Sequence, residues 1–266
     1  MKDDGPEHAK KTSDILSFIV LAGGKAKRFK GHPKLLNFMY GKNLLLNIVN
    51  NIHDAGMKPC IKFVIRKPWG DSIDNMLKQY RMYDDYNVNR VFYHEEADSK
   101  AFAIWEVTTQ VIHTPLVAVL QGDVVYGSDL FTDFSKKLNE FYDKKLKDYA
   151  GFIYLAKSEP PSPAPVFKTK HDAINNITCL EEICKDKKDS SLHPAISVFD
   201  AEKLKALRDV PRYESNTERA GTTYICNKFI ENNYKFCVVE SDFTIADLNT
   251  PAAYEIVQAR FAPKNA

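Results

Sequence analysis

Leu21-Ala22-Gly23-Gly24-Lys25-Ala26-Lys27-Arg28-Phe29, with Pro33-Lys34 close behind, is the stretch on which the reading of this chain turns. It ends an apolar run, Ile15 to Ala22, that falls well short of the roughly 20 residues of a membrane span and reads as a buried strand. Glycines directly after such a strand let a backbone come close to a phosphate and turn N–H groups toward its oxygens. Arg28 and Lys34 would add fixed positive charge. The spacing is neither G-x-x-x-x-G-K-[ST] nor G-x-G-x-x-G. A basic surface turn would explain Gly23-Gly24 alone; Arg28 and Pro33-Lys34 tip the reading toward an anion-binding loop.

Outward from this loop, strand and helix patterns alternate through the first 150 residues, as βαβ units on a mainly parallel sheet do. Leu44 to Ala55 reads as a helix with Leu45, Ile48, Val49 and Ile52 on one face and Gly56 as its stop. Strands are expected at Cys60 to Ile65, Arg90 to Tyr93, Leu116 to Leu120 and Gly151 to Ala156, and helices at about Ser72 to Met82, Ser99 to Ile112 and Leu130 to Tyr142. Pro160-Pro161-Ser162-Pro163-Ala164-Pro165 fits neither helix nor inner strand and is expected to leave the sheet as a loop. Beyond it, a charged patch (Lys185 to Asp189), a strand-like Pro194 to Phe199 and two helices suggest a smaller lobe. The chain then returns with Phe236 to Glu240 and Phe243 to Asp247, and a helix starts near Thr250-Pro251. The expected class is α/β, a Rossmann-like, mainly parallel sheet flanked by helices, with an insertion at about 157–235. Residues 1–13 read as a flexible leader before a single domain at 14–266.

Composition removes several functional classes. With 37 Lys+Arg against 35 Asp+Glu there is no overall field for a polyanion, so nucleic acid is not the expected partner, and no segment suits a membrane. The five cysteines lack the paired short spacings of a zinc site, which points to a reducing cytoplasm. His113, His171 and His193 are expected to be solvent or packing residues. Oligomeric state is left open.

Gly122-Asp123 follows the strand Leu116 to Leu120, which puts a carboxylate at the C-terminal end of a central strand, the edge where open α/β sheets bind ligands. A turn aspartate capping the next helix is the plain alternative. Asp247 lies in Ile245-Ala246-Asp247-Leu248-Asn249-Thr250-Pro251-Ala252-Ala253-Tyr254, which also makes a good turn and helix start.

Taken in order, these stretches resemble the sugar-phosphate nucleotidyltransferases and their relatives, including molybdenum-cofactor guanylyltransferases and cytidylyltransferases. The family signature L-A-G-G-x-G-x-R, then P-K, is similar to Leu21 to Arg28 and Pro33-Lys34, with Ala26 in place of the third glycine. Its P-K-x-L-L-P-V-x-G-K-P-L-L resembles the run from Pro33 to Leu45, and its W-x-D-I-G-T-P-E-x-Y resembles Ile245 to Tyr254, with Ile245, Asn249 and Ala252 as departures. Ala195-Ile196-Ser197-Val198-Phe199-Asp200 is similar to the strand G-I-Y-V-F-D that borders the acceptor pocket, but no clear E-K-P precedes it.

The resemblance implies transfer of a nucleoside monophosphate from an NTP to a phosphorylated small molecule such as a sugar 1-phosphate, with Mg2+ on Asp123 and Asp247. It implies nucleotide contacts from Leu21, Ala22, Gly23, Gly24, Arg28, Lys34, Ser99 and Gly122. Arg28, Lys34 and Asp123 are the residues expected to carry the chemistry, and residues 157–235 the acceptor. For Ser99 a helix cap is at least as good a reading. One rival is a nucleotide-sugar glycosyltransferase, whose metal site normally uses Asp-x-Asp, whereas Asp123 is followed by Val124-Val125. The other is a non-catalytic nucleotide-binding module, against which both aspartates and Lys34 argue.

Overall fold

The computed structural model describes residues 12–22, 38–39, 42–94, 99–145, 149–172, 177–212, 221–248, 255 and 257. Most of the expected leader, the loop residues Gly23, Gly24, Arg28 and Lys34, and most of the helix expected from Thr250 lie outside the described residues. In chain order the elements are α1 (Thr12–Ile15), β1 (Leu16–Leu21), a small ribbon of β2 (Phe38–Met39) and β3 (Lys42–Asn43), α2 (Leu44–Asp54) and β4 (Cys60–Arg66). A turn of 3-10 helix (Lys67–Trp69) leads to α3 (Gly70–Gln79), α4 (Met82–Asp85), β5 (Val88–His94), α5 (Lys100–Val111), β6 (Leu116–Gln121) and β7 (Val124–Tyr126). Then come α6 (Ser128–Lys145), β8 (Tyr149–Asp172), β9 (Ile177–Asp200), α7 (Ala201–Lys205), α8 (Thr222–Glu231) and β10 (Lys235–Asp247).

Local chemistry sets the helix ends. The Asn43 side chain accepts from Leu46 N–H at 2.8 Å to start α2, and Gly56, at φ +76°, follows its end in a conformation that costs glycine least. Asp200 starts α7 in the same way, accepting from Lys203 N–H at 2.9 Å.

The main sheet among the described residues runs β5-β4-β1-β6-β9-β8-β10-β7. Its first half is parallel, as the alternating pattern predicts: β1 lies between β4 and β6, and β5 extends beyond β4. The second half is mixed, since β9 runs antiparallel to both β6 and β8, while β10 is parallel to β8 and antiparallel to β7.

The alternating faces bury separate cores. Phe18 and Val20 of β1 join Leu45 and Ile48 of α2, Ile73 of α3 and Phe131 and Phe134 of α6 on one side. Ile19 and Leu21 join Ile104 of α5, Leu204 of α7 and Phe229 of α8 on the other.

The proline-rich stretch departs from the sequence reading. Residues 160–165 continue β8 rather than leaving as a loop, with Ser162, Pro163 and Pro165 opposite Ser190, Asp189 and Lys187 of β9. Proline lacks a ladder donor, but no third strand pairs with this part of the hairpin among the described residues. The missing N–H therefore has an outward side to occupy.

Candidate active site

The chain passes from β1 outward to β4 and β5, then crosses back to place β6 on the other side of β1. The C-terminal ends of β1 and β6 therefore flank the topological switch point, where an open α/β sheet leaves a crevice. Leu21, Ala22, Gly122 and Asp123 all meet there. Gly122 N–H donates to the Leu21 carbonyl at 3.0 Å, and Ala22 N–H donates to the Val64 carbonyl at 2.8 Å. The second bond carries the β1 ladder one residue past the last strand residue.

Asp247 reaches the same edge from the other end of the fold. The β7–β10 ladder sets it opposite Val124, and Leu248 N–H donates to the Asp123 carbonyl at 2.9 Å. Asp247 is buried. Tyr126, also buried, ties the region together: its hydroxyl accepts from Gln121 N–H at 3.0 Å and lies 3.1 Å from the Gln121 carbonyl and 3.3 Å from that of Ala195. The Asn51 side chain of α2 donates to the Tyr126 carbonyl. Burial first, and then the negative charges of Asp123 and Asp247, push the Tyr126 hydroxyl above the usual tyrosine range. The β7–β10 ladder and the Leu248–Asp123 bond make Asp123 and Asp247 backbone neighbours on this edge, with Tyr126 beside them.

His193, expected to be a solvent or packing residue, lies beside Asp247. Its Nε2 lies 3.8 Å from Asp247 Oδ2, with both side chains largely buried. Among the described residues no group of three or more His, Cys, Asp or Glu is placed so as to hold a metal ion. Carboxylate oxygens such as those of Asp123 and Asp247 are the donor type that suits a hard divalent ion, which keeps its other positions for phosphate and water.

Ser99 is buried and engaged as a cap. Its hydroxyl accepts from Phe102 N–H at 3.0 Å and donates to the Pro211 carbonyl at 2.6 Å, and its own N–H donates to the Arg212 carbonyl at 2.6 Å. What Ser99 fixes is the start of α5. Its neighbour Lys100 faces the crevice instead, with Nζ 3.2 Å from Gln121 Oε1 at the end of β6. That cation was not singled out from the sequence, where one lysine at a helix start carries no distinguishing pattern.

No family model and no curated protein sequence matches the chain. Solved structures do. A protein from Bacillus anthracis assigned as a glucose-1-phosphate thymidylyltransferase superposes with a TM-score of 0.68 at 18% identity, over 92% of this chain and 94% of that one. The inositol-1-phosphate CTP transferase of T. maritima gives 0.63 at 15% identity, over 90% and 91%. A UDP-glucose pyrophosphorylase solved with UDP-glucose gives 0.66 at 14% identity, over 92% and 97%. The chain has the sugar-phosphate nucleotidyltransferase fold. Within that fold, Leu21-Ala22 and Gly122-Asp123 occupy the crevice-facing ends of neighbouring parallel strands, and Asp247 approaches them from β10.

Proposed function

We propose that the protein is a nucleotidyltransferase that moves the nucleoside monophosphate of an NTP onto a phosphorylated small molecule, a sugar 1-phosphate or similar ester, and releases pyrophosphate. The observation that carries this reading is the meeting of Asp123 and Asp247 at the sheet's switch point, beside the strand end that leads into Gly23-Gly24. The solved neighbours, named as a glucose-1-phosphate thymidylyltransferase, an inositol-1-phosphate CTP transferase and a UDP-glucose pyrophosphorylase, support the same class.

In the proposed reaction an oxygen of the acceptor phosphate attacks the α-phosphorus in line. The new O–Pα bond forms as the bond from Pα to the bridging oxygen of the β-phosphate breaks, and pyrophosphate leaves with that electron pair. A phosphate dianion is already nucleophilic near neutral pH, so no side chain need remove a proton. The protein's work is then positioning and charge compensation. Gly23 and Gly24 offer backbone donors, Arg28 holds the departing pyrophosphate, and Lys34 offsets charge at the α-phosphate or guides the incoming phosphate. Asp123 and Asp247 fit a divalent cation such as Mg2+, which when bound would offset charge on the α-phosphate. The β8–β9 hairpin beyond Ala156 and the segment through α8 form the acceptor side.

The test is pyrophosphate release, measured with each NTP against a panel of sugar 1-phosphates in the presence of Mg2+. Asp123→Asn is expected to lower turnover about 100-fold or more while the circular dichroism spectrum stays unchanged. Turnover of that variant at the wild-type rate would overturn the metal assignment. No pyrophosphate from any pair would overturn the reaction itself.

A further inference from the structure

The pairing of β8 with β9 contains a shift that bears on the site. Tyr154 lies opposite Ile196, but Leu155 lies opposite Pro194, so Ala195 is an extra residue in β9. Such a bulge breaks the alternation of side chains between the two faces. Its effect shows in the cores: Ala195 and Ile196, though consecutive, both pack on the face that holds Tyr126 and Tyr154.

Counting back by twos from Ser197 in a regular strand would send His193 to the opposite face, with Phe199. The bulge instead pairs His193 with Ala156, on the Tyr126 face. Asp247 lies two residues beyond Ile245 and opposite Val124, both directed to that face. The bulged residue is itself pinned at the site, because the Ala195 carbonyl is 3.3 Å from the Tyr126 hydroxyl. One irregularity in β9 therefore both meets Tyr126 and brings a buried imidazole to 3.8 Å from Asp247 Oδ2.

We propose that His193 is a positioning residue for Asp247: the imidazole edge confines Oδ2, so that the carboxylate is held in one orientation toward the cation shared with Asp123. This rests on the metal role given to Asp247 above. At 3.8 Å the contact is longer than a hydrogen bond, and closing it to one takes a shift of about 1 Å. Polar groups that orient a ligating carboxylate typically change metal affinity about 10- to 100-fold when removed.

The experiment is a titration of the purified full chain with Mn2+ alone, reading free Mn2+ by electron paramagnetic resonance, with thermal unfolding as a check on folding. Wild type is expected to bind a Mn2+ that Asp247→Asn removes. His193→Ala should weaken that binding about 10-fold or more, and His193→Gln, which keeps a polar N–H near the same place, should recover most of it. His193→Leu, which fills much of the same space without a polar edge, should leave the binding weakened, and recovery in that variant would reduce His193 to a filler of space. If Asp247→Asn removes Mn2+ binding but His193→Ala leaves it unchanged, the positioning role is overturned and the metal site stands. Should binding be absent in the wild type or indifferent to Asp247→Asn, both the metal assignment and the role of His193 fall.

Discussion

Tyr126 puts the coupling between stability and the candidate site on a single atom. Its hydroxyl meets both backbone groups of Gln121 and the carbonyl of the bulged Ala195. Removing that oxygen in Tyr126→Phe leaves the part-buried Gln121 N–H without this acceptor, which costs about 1–3 kcal/mol. Urea denaturation is expected to show a loss in that range. Turnover should also fall, because Gln121 leads directly into Gly122-Asp123; a variant as stable and as active as wild type would contradict both expectations. The two aspartates could be picked out in the sequence as candidates because each sits in a short contiguous motif. His193 and Tyr126 were not, since their roles arise from strands that meet only in three dimensions. For His193 the decisive event is one inserted residue at Ala195, and no periodicity in the sequence around it announces a bulge.

Strands β8, β9 and β10 crowd together at Gly151. A Cβ built there would lie 2.0 Å from the Val198 carbonyl oxygen and 2.8 Å from Cε1 of Phe236. Phe236 belongs to an aromatic cluster with Phe199 and Phe229, at centroid separations of 5.8 and 5.5 Å, so neither the backbone nor the ring has an easy retreat. Gly151→Ala is expected to destabilise the protein by about 3 kcal/mol, read as a lower urea midpoint, and the strand separation it forces should be felt along β10 toward Asp247. The parallel half of the sheet was legible because each strand is followed by a helix whose apolar face repeats at helical spacing. In the second half strands within β8, β9 and β10 were expected but their pairing was not, since β8 and β9 are paired directly as a hairpin and their partner choice depends on register. The Pro160 to Pro165 run was misread for a related reason. Proline excludes a central strand, but it does not exclude a ribbon of two strands with open flanks.

Across the molecule, helices cover both faces of the sheet, and several ionisable side chains lie in the resulting cores. Burial pushes up Cys226, and burial together with the Asp133 contact pushes up Tyr154, alongside the raised Tyr126. The unfolded chain releases these protons near the ordinary values of 9.0 for the thiol and 10.0 for the hydroxyls, while the folded protein keeps them. Their contribution is fully present below those values and is lost as pH rises beyond them. The urea midpoint is therefore expected to fall steadily above about pH 9, and less steeply in Tyr154→Phe. A midpoint that holds steady into strong alkali would show that these groups titrate alike in both states. Ligand linkage supplies a second global readout: a nucleoside triphosphate with Mg2+ at about 100 times its dissociation constant should add about 2.7 kcal/mol of stability, and a thermal-shift screen of the common NTPs should single out the donor base. The same architecture also sets an order on synthesis. Asp123 is translated early, but the β10 strand that carries Asp247 closes against β7 only after the whole β8–β9 hairpin has been made. A ribosome-bound chain that stops just short of residue 247 would already contain the strands of the parallel half of its sheet and yet lack the second carboxylate. The proposed cation site would then be completed late, only when β10 pairs with β7.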